Sequence, residues 1–181
     1  SATVEISNAS TVDELNAIAE KTDAVVTGSI AATSLASLSG LNTAGTDVIT
    51  ITVNDSSGTL NATDLSALGA KTAGTVTVSN AVTISGTRSQ VTDALVTDSS
   101  KVTASTALVT ITDGAGDIDA TDLSAIGEKT SGQVTVSNAV NIQGTTAEVT
   151  AALVTGSSLV VAESATVEIS NASTVDELNA I

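Results

Sequence analysis

Aliphatic residues recur along this chain in two alternating rhythms. In the first they fall three or four positions apart behind a Thr or Ser: Val12, Leu15 and Ile18; Leu35 and Leu38; Leu65 and Leu68; Val91 and Leu95; Leu123 and Ile126; Val149 and Leu153. That spacing puts them on one face of a short helix. Thr11, Thr63 and Thr121 stand where N-caps belong. Asp13, Asp64 and Asp122 follow them, where the positive end of a helix favours an acid. Gly74 and Gly132 stand where each of two helices should stop. In the second rhythm Val and Ile alternate with Thr, Ser or Glu, as in VITITV from Val48, TVTVSNAVTIS from Thr75, LVTIT from Leu108, QVTVSNAVNIQ from Gln133 and ATVEIS from Ala165. A period of two predicts strands with one buried face. Ser79-Asn80 and Ser137-Asn138 interrupt two of these runs and predict a corner.

The rhythms themselves repeat. Asn61–Val102 aligns without a gap on Asp119–Val160 and agrees with it at 29 of 42 positions, too many for shared composition alone. On a longer scale, Ser1–Ile18 returns unchanged as Ser164–Ile181. Residues 1–163 therefore read as one full tandem unit of about six coils, and residues 164–181 as the start of the next identical unit. Helices of about two turns do not persist alone, so neighbouring coils must hold them. The predicted fold is a β-solenoid: mainly β, with parallel stacked coils of about 27 residues and short helical turns on one edge. Its crossovers are expected to be right-handed.

Composition sharpens this picture. The chain has no Phe, Tyr, Trp, Met, Cys, His or Pro, and its 41% hydrophobic residues are all Ala, Val, Ile or Leu. Wide cores are usually filled with aromatics. A thin core between two facing layers closes with aliphatics alone, which favours an elongated body. The mean hydropathy of +0.36 argues against a disordered low-complexity chain.

Charge and the missing residue types then exclude whole classes of function. The formal charge of −15, from 20 acids and 5 bases, disfavours nucleic acid and anionic membrane surfaces as partners. No apolar run reaches the length of a membrane span. The partner expected is the chain itself, end to end, with lateral bundling left open. Without His or Cys there is no triad, thiol nucleophile or imidazole base, and the chain reads as no enzyme.

Oxygen ligands remain. Asp113, Asp117, Asp119 and Asp122 crowd one loop, a composition suited to Ca2+, which takes six to eight oxygens. Asn54, Asp55, Asn61 and Asp64 mark the parallel loop. The same residues are ordinary turn formers. Ca2+ is the one cofactor this pattern suggests. Thr50 and Thr52, Thr75 and Thr77, and Thr110 and Thr112 form T-x-T pairs of the kind that ice-binding surfaces array in register. Gln133 beside Thr135 breaks that register.

The text VTVSNAVTISGT and TTAEVTAALVTGSS resembles the repeat regions of very large secreted bacterial surface proteins, cyanobacterial ones included. The resemblance implies an extracellular or cell-surface structural protein of the adhesin, filament or matrix kind. The function expected is a fibre or stalk built from tandem repeats. The alternative is a ligand-binding surface protein, with Ca2+, carbohydrate or ice as ligand.

Overall fold

The computed structural model describes residues 3–181. The chain opens with β1 (Thr3–Ser10), α1 (Val12–Ala19), β2 (Val25–Ile30), α2 (Leu35–Leu38) and β3 (Val48–Val53). It continues through β4 (Thr59–Asn61), α3 (Ala62–Gly69), β5 (Val76–Val78), β6 (Thr83–Gly86) and α4 (Arg88–Val91). A π turn (Thr92–Val96) and a 3-10 turn (Asp98–Ser100) prolong α4. Then come β7 (Val102–Thr103), β8 (Leu108–Ile111), β9 (Asp117–Asp119) and α5 (Ala120–Gly127). The rest is β10 (Val134–Val136), β11 (Asn141–Gly144), α6 (Thr146–Leu153), β12 (Val160–Val161), β13 (Thr166–Ile169) and α7 (Val175–Ala180).

This overturns the expected mainly-β solenoid. Helix and strand contribute equally, 30% each, and the chain is an α/β fold with three parallel sheets and seven helices among the described residues. The helices are not an edge trimming. Leu15 of α1, Leu65 of α3, Leu123 and Ile126 of α5 and Val149 of α6 are fully buried in the same core as Ile49, Ile84, Ile111 and Ile142 of the strands. The alternating text also overstates strand length. Of TVTVSNAVTIS, only Val76–Val78 and Thr83–Gly86 form strands, because Ser79-Asn80 turns the chain between them.

All strand pairs among the described residues are parallel. The sheets run β1-β2-β3-β5-β7, β12-β10-β8-β6-β4 and β13-β11-β9. Partners lie one circuit apart: Thr3 faces Val25, Val76 faces Val102, and Asn141 faces Thr166. Parallel neighbours need such a crossover, and the short helices supply part of it.

The sequence repeat and the sheets do not coincide. β5 lies in the first sheet, but its textual copy β10 lies in the second. Likewise β6 lies in the second sheet and its copy β11 in the third. Even the identical opening text changes place: Thr3 belongs to the first sheet through β2, and Thr166 to the third through β11. The cause is the circuit β7-β8-β9, which places one strand in each sheet. Two circuits at the usual pairing distance fall short of one textual repeat by about eight residues, enough for one strand and one corner. Each textual repeat is thus carried round to the next sheet.

Helix boundaries also depart from expectation. Thr11 is an N-cap, but Thr63 and Thr121 lie inside their helices, behind N-caps Asn61 and Asp119. Gly74 and Gly132 do not end helices. α3 and α5 end at Gly69 and Gly127. A Cβ added there would overlap the carbonyl oxygen of Ser100 in the first case and of Ser158 in the second. Glycine at these helix ends therefore lets the next circuit come close. Gly69→Ala should lower stability by about 1–3 kcal/mol, although helix propensity alone favours Ala. Gly114→Ala, with open space around it, should change stability by less than about 0.5 kcal/mol. Urea unfolding of the two variants checks the contrast.

Candidate functional site

The polar residues singled out in the sequence gather on a seam where each strand hands over to its helix. Helix N-termini leave backbone N–H groups unsatisfied, and burial makes that costly. In three places the following circuit supplies the acceptor. The Leu35 N–H, first in α2, donates to Asp55 Oδ2 at 2.7 Å. The Arg88 N–H, first in α4, donates to Asp113 Oδ2. The Thr146 N–H, first in α6, donates to Asn171 Oδ1 at 2.7 Å. Asp55, Asp113 and Asn171 are evenly spaced along the chain, one textual repeat apart, so this staple between circuits recurs with the text.

That places the four aspartates proposed for Ca2+. Asp113 holds the α4 N-terminus, and Asp122 forms an ion pair with the Arg88 guanidinium. Asp117 Oδ1 accepts from Asn141 Nδ2 at 3.0 Å, and Asp119 Oδ1 accepts from Gln143 Nε2 at 2.9 Å. The four are therefore divided between two different jobs. Among the described residues no group of three or more acids is arranged to hold a metal ion. In the parallel loop, Asn54 Nδ2 donates to the Ala32 carbonyl at 3.3 Å and Asn61 Nδ2 to Asp64 Oδ2 at 3.2 Å.

Arg88 was not foreseen. Its hydrogen bond to Asp122 holds the guanidinium above its ordinary pKa. Partial burial opposes this, and the charges of Asp122, Asp113 and Asp119 add to it. A cation at a helix N-terminus is otherwise unfavourable, so the acids offset the helix dipole. The signal that could have revealed it is a lone Arg inside the first repeat, where the second has Thr146, between acids that recur at constant spacing.

Buried polar residues stitch the opposite seam, where helices return to strands. Asp47 is 4% exposed, and its carboxylate accepts from the Val26 N–H at 2.8 Å and the Ala44 N–H at 2.9 Å. Its own carbonyl accepts from the Ala73 N–H at 2.7 Å. One residue thus ties three successive circuits. Buried Thr72 accepts from the Ile49 and Gly74 N–H groups, both at 2.8 Å. Its copy, Thr130, accepts from the Gly132 N–H at 3.0 Å and donates to the Ala107 carbonyl.

The T-x-T pairs do not build a two-file array. Thr52, Thr77 and Thr103 line up across the first sheet, and Thr110 and Thr135 across the second, each as a single column. Thr75 and Thr112 fall outside the strands.

A scan of family models, a search of curated proteins and a search of solved structures each return no match to this chain. No helix is long and apolar enough to cross a membrane among the described residues.

Three helices carry a reciprocal cap in which Glu accepts from the N-cap Thr backbone: Thr11–Glu14, Thr145–Glu148 and Thr174–Glu177. Those bonds hold all three carboxyls below the usual glutamate range. A depressed folded-state pKa gives stability that is present above the unfolded value and lost as pH falls through the folded one. The unfolding midpoint should therefore drop on acidification through and below the ordinary glutamate range. Gln90 makes the same bond to Thr87 without titrating. Changing Glu14, Glu148 and Glu177 together to Gln should preserve the caps and flatten that slope. Urea midpoints measured across the acid range check this.

Proposed function

We propose that this chain is a structural element, one α/β unit of a tandem array whose work is mechanical extension and spacing. The observation that carries this reading is the staple between circuits, which recurs one textual repeat apart through Asp55, Asp113 and Asn171. The opening text is covered in the same way, with Leu15 fully buried. In the first copy the following circuit makes the cover. Asn16 Nδ2 donates to the Gly40 carbonyl at 2.8 Å, and Asn16 Oδ1 accepts from the Asn42 N–H at 2.7 Å. Residues with the text of 19–42, placed after the second copy, would cover Leu178 and pair with Asn179 in the same way.

On this reading the partner is another copy of the same unit, stacked through backbone ladders and aliphatic contact. Net charge of −15 keeps such bodies apart sideways while stacking holds them lengthwise. The missing aromatics fit a thin, long core. The composition and its resemblance to surface-protein repeats support an extracellular or cell-surface setting for such a fibre or stalk.

The test appends a second copy of residues 19–163 after Ile181. Leu178→Ala should then cost about 2–5 kcal/mol, as for a buried leucine. In the chain that ends at Ile181 it should cost less than about 0.5 kcal/mol. Amide exchange over α7 should slow in the longer chain. Leu178→Ala that is neutral in both chains would refute the stacking proposal.

A further inference from the structure

We propose that the groove between α2 and α3 is a receptor for an arginine side chain presented by a polypeptide partner. The groove encloses about 410 Å³. Leu35, Leu38, Leu60 and Leu68 form an apolar floor, and the carboxylates of Asp55 and Asp64 stand at its rim. An apolar channel ending in acids suits a residue with an alkyl stem and a cationic head.

The next repeat shows the occupant. Asp113 is the copy of Asp55 one textual repeat on, and Asp122 is the copy of Asp64. Arg88 holds the place in α4 that Leu35 holds in α2: each is the first helical residue, and each gives its N–H to the staple aspartate. From that place the Arg88 side chain reaches Asp122. Leu35 cannot reach Asp64 with charge, so the same pair of acids is left without its cation.

At the third level Thr146 replaces the arginine and Asn171 replaces the staple aspartate, while α7 keeps Asp176 and Glu177 in its first turn, so the pair of aspartates is not repeated there. The first level keeps both aspartates, and a leucine stands where the second has its arginine. Lys71 also borders the groove. Among the described residues, however, the ion pairs are Lys21–Glu20 and Arg88–Asp122; Asp55 Oδ2 is used by the Leu35 N–H and Asp64 Oδ2 by Asn61, while neither Oδ1 has a hydrogen-bond partner and neither acid has a paired cation.

The ligand follows from this geometry. A guanidinium is planar, more weakly hydrated than an ammonium and forked to meet carboxylates, so arginine should be preferred to lysine. A polypeptide is the source because in the next repeat the copy of Asp64, Asp122, takes its guanidinium from a residue of a neighbouring backbone, Arg88. The net charge of −15 steers basic segments toward the chain.

The experiment titrates the chain with the peptide acetyl-Gly-Arg-Gly-amide and follows amide shifts at Leu35 and Asp64 by NMR. Saturable binding is expected, weakened about tenfold or more by Asp64→Asn and by exchanging Arg for Lys in the peptide. Leu35→Arg should plug the groove from within. It should abolish peptide binding and raise Tm by supplying the missing ion pair. No saturable binding to the unaltered chain, binding unchanged by Asp64→Asn, or equal binding of the Lys peptide would each overturn the assignment. If Leu35→Arg fails to fold, the Asp64→Asn and Lys-peptide arms still decide it.

Discussion

Every circuit of this chain leaves backbone donors and acceptors that only its neighbours can satisfy. Most of the strands are too short to make enough ladder bonds to stand alone, and the helices are too short to be self-sufficient. Stability therefore rests on hydrogen bonds between circuits, made partly by parallel ladders and partly by side chains at the two seams. Asp47 is the clearest case, a buried carboxylate whose acceptors are used by N–H groups of its own and the preceding circuit. On the other seam, Asp55, Asp113 and Asn171 close the N-termini of helices that precede them by one circuit. The high content of Thr, Ser, Asn and Asp thus serves the inside of the fold as much as its surface.

The aliphatic core follows from the same constraint. Each circuit must lie close enough to its neighbours for ladder bonds, which limits the side chains that fit between them. Val, Ile and Leu fill that space without a polar edge to satisfy, as Tyr or Trp would require. Where a helix end must meet the next circuit's backbone, even a methyl group is too much, hence Gly69 against Ser100 and Gly127 against Ser158. Lys101 and Leu159 follow those contacts with φ of 58° and 50°, a left-handed conformation uncommon for residues other than glycine. The equivalent residues of both repeats accept the same strain, so it belongs to the packing of the unit.

Local features were legible in the sequence, and long-range placement was not. The helix faces at Leu15, Leu65 and Leu123 and the cap at Thr11 could be read because they depend on residues three or four apart. The Ser-Asn corners were legible too. Ser79 and Ser137 each donate a backbone N–H to the circuit before, at 3.0 Å, and Asn80 and Asn138 reach the same preceding loop. Strand extent was overread, since Thr and Val alternate through corners as readily as through strands. The balance of helix and strand was misjudged for that reason. The partners of Asp113, Asp117, Asp119 and Asp122 were not legible, because they come from other circuits: Arg88 for Asp113 and Asp122, Asn141 and Gln143 for Asp117 and Asp119.

The rotation of the repeat was hidden for a deeper reason. Textual identity fixes local conformation, as the matching caps Thr11–Glu14 and Thr174–Glu177 show, but not the sheet a strand joins. That depends on the count of residues between one contact and the next. A surplus of about one strand and one corner within each textual repeat moves every later element to the neighbouring sheet. Even within the first copy the count matters. Ile6-Ser7-Asn8 bulges out of β1 opposite Gly28, whereas in the second copy Ile169 stays paired in β13 and only Ser170-Asn171 leave it for a corner. Gly28 permits the bulge because it leaves room for Ile6. In the third sheet Ile169, the copy of Ile6, also faces a glycine, Gly144, yet Val167, Glu168 and Ile169 face Ile142, Gln143 and Gly144 in unbroken register, so the glycine permits the bulge without causing it. The surroundings, set by chain length between contacts, therefore decide what an identical sequence becomes.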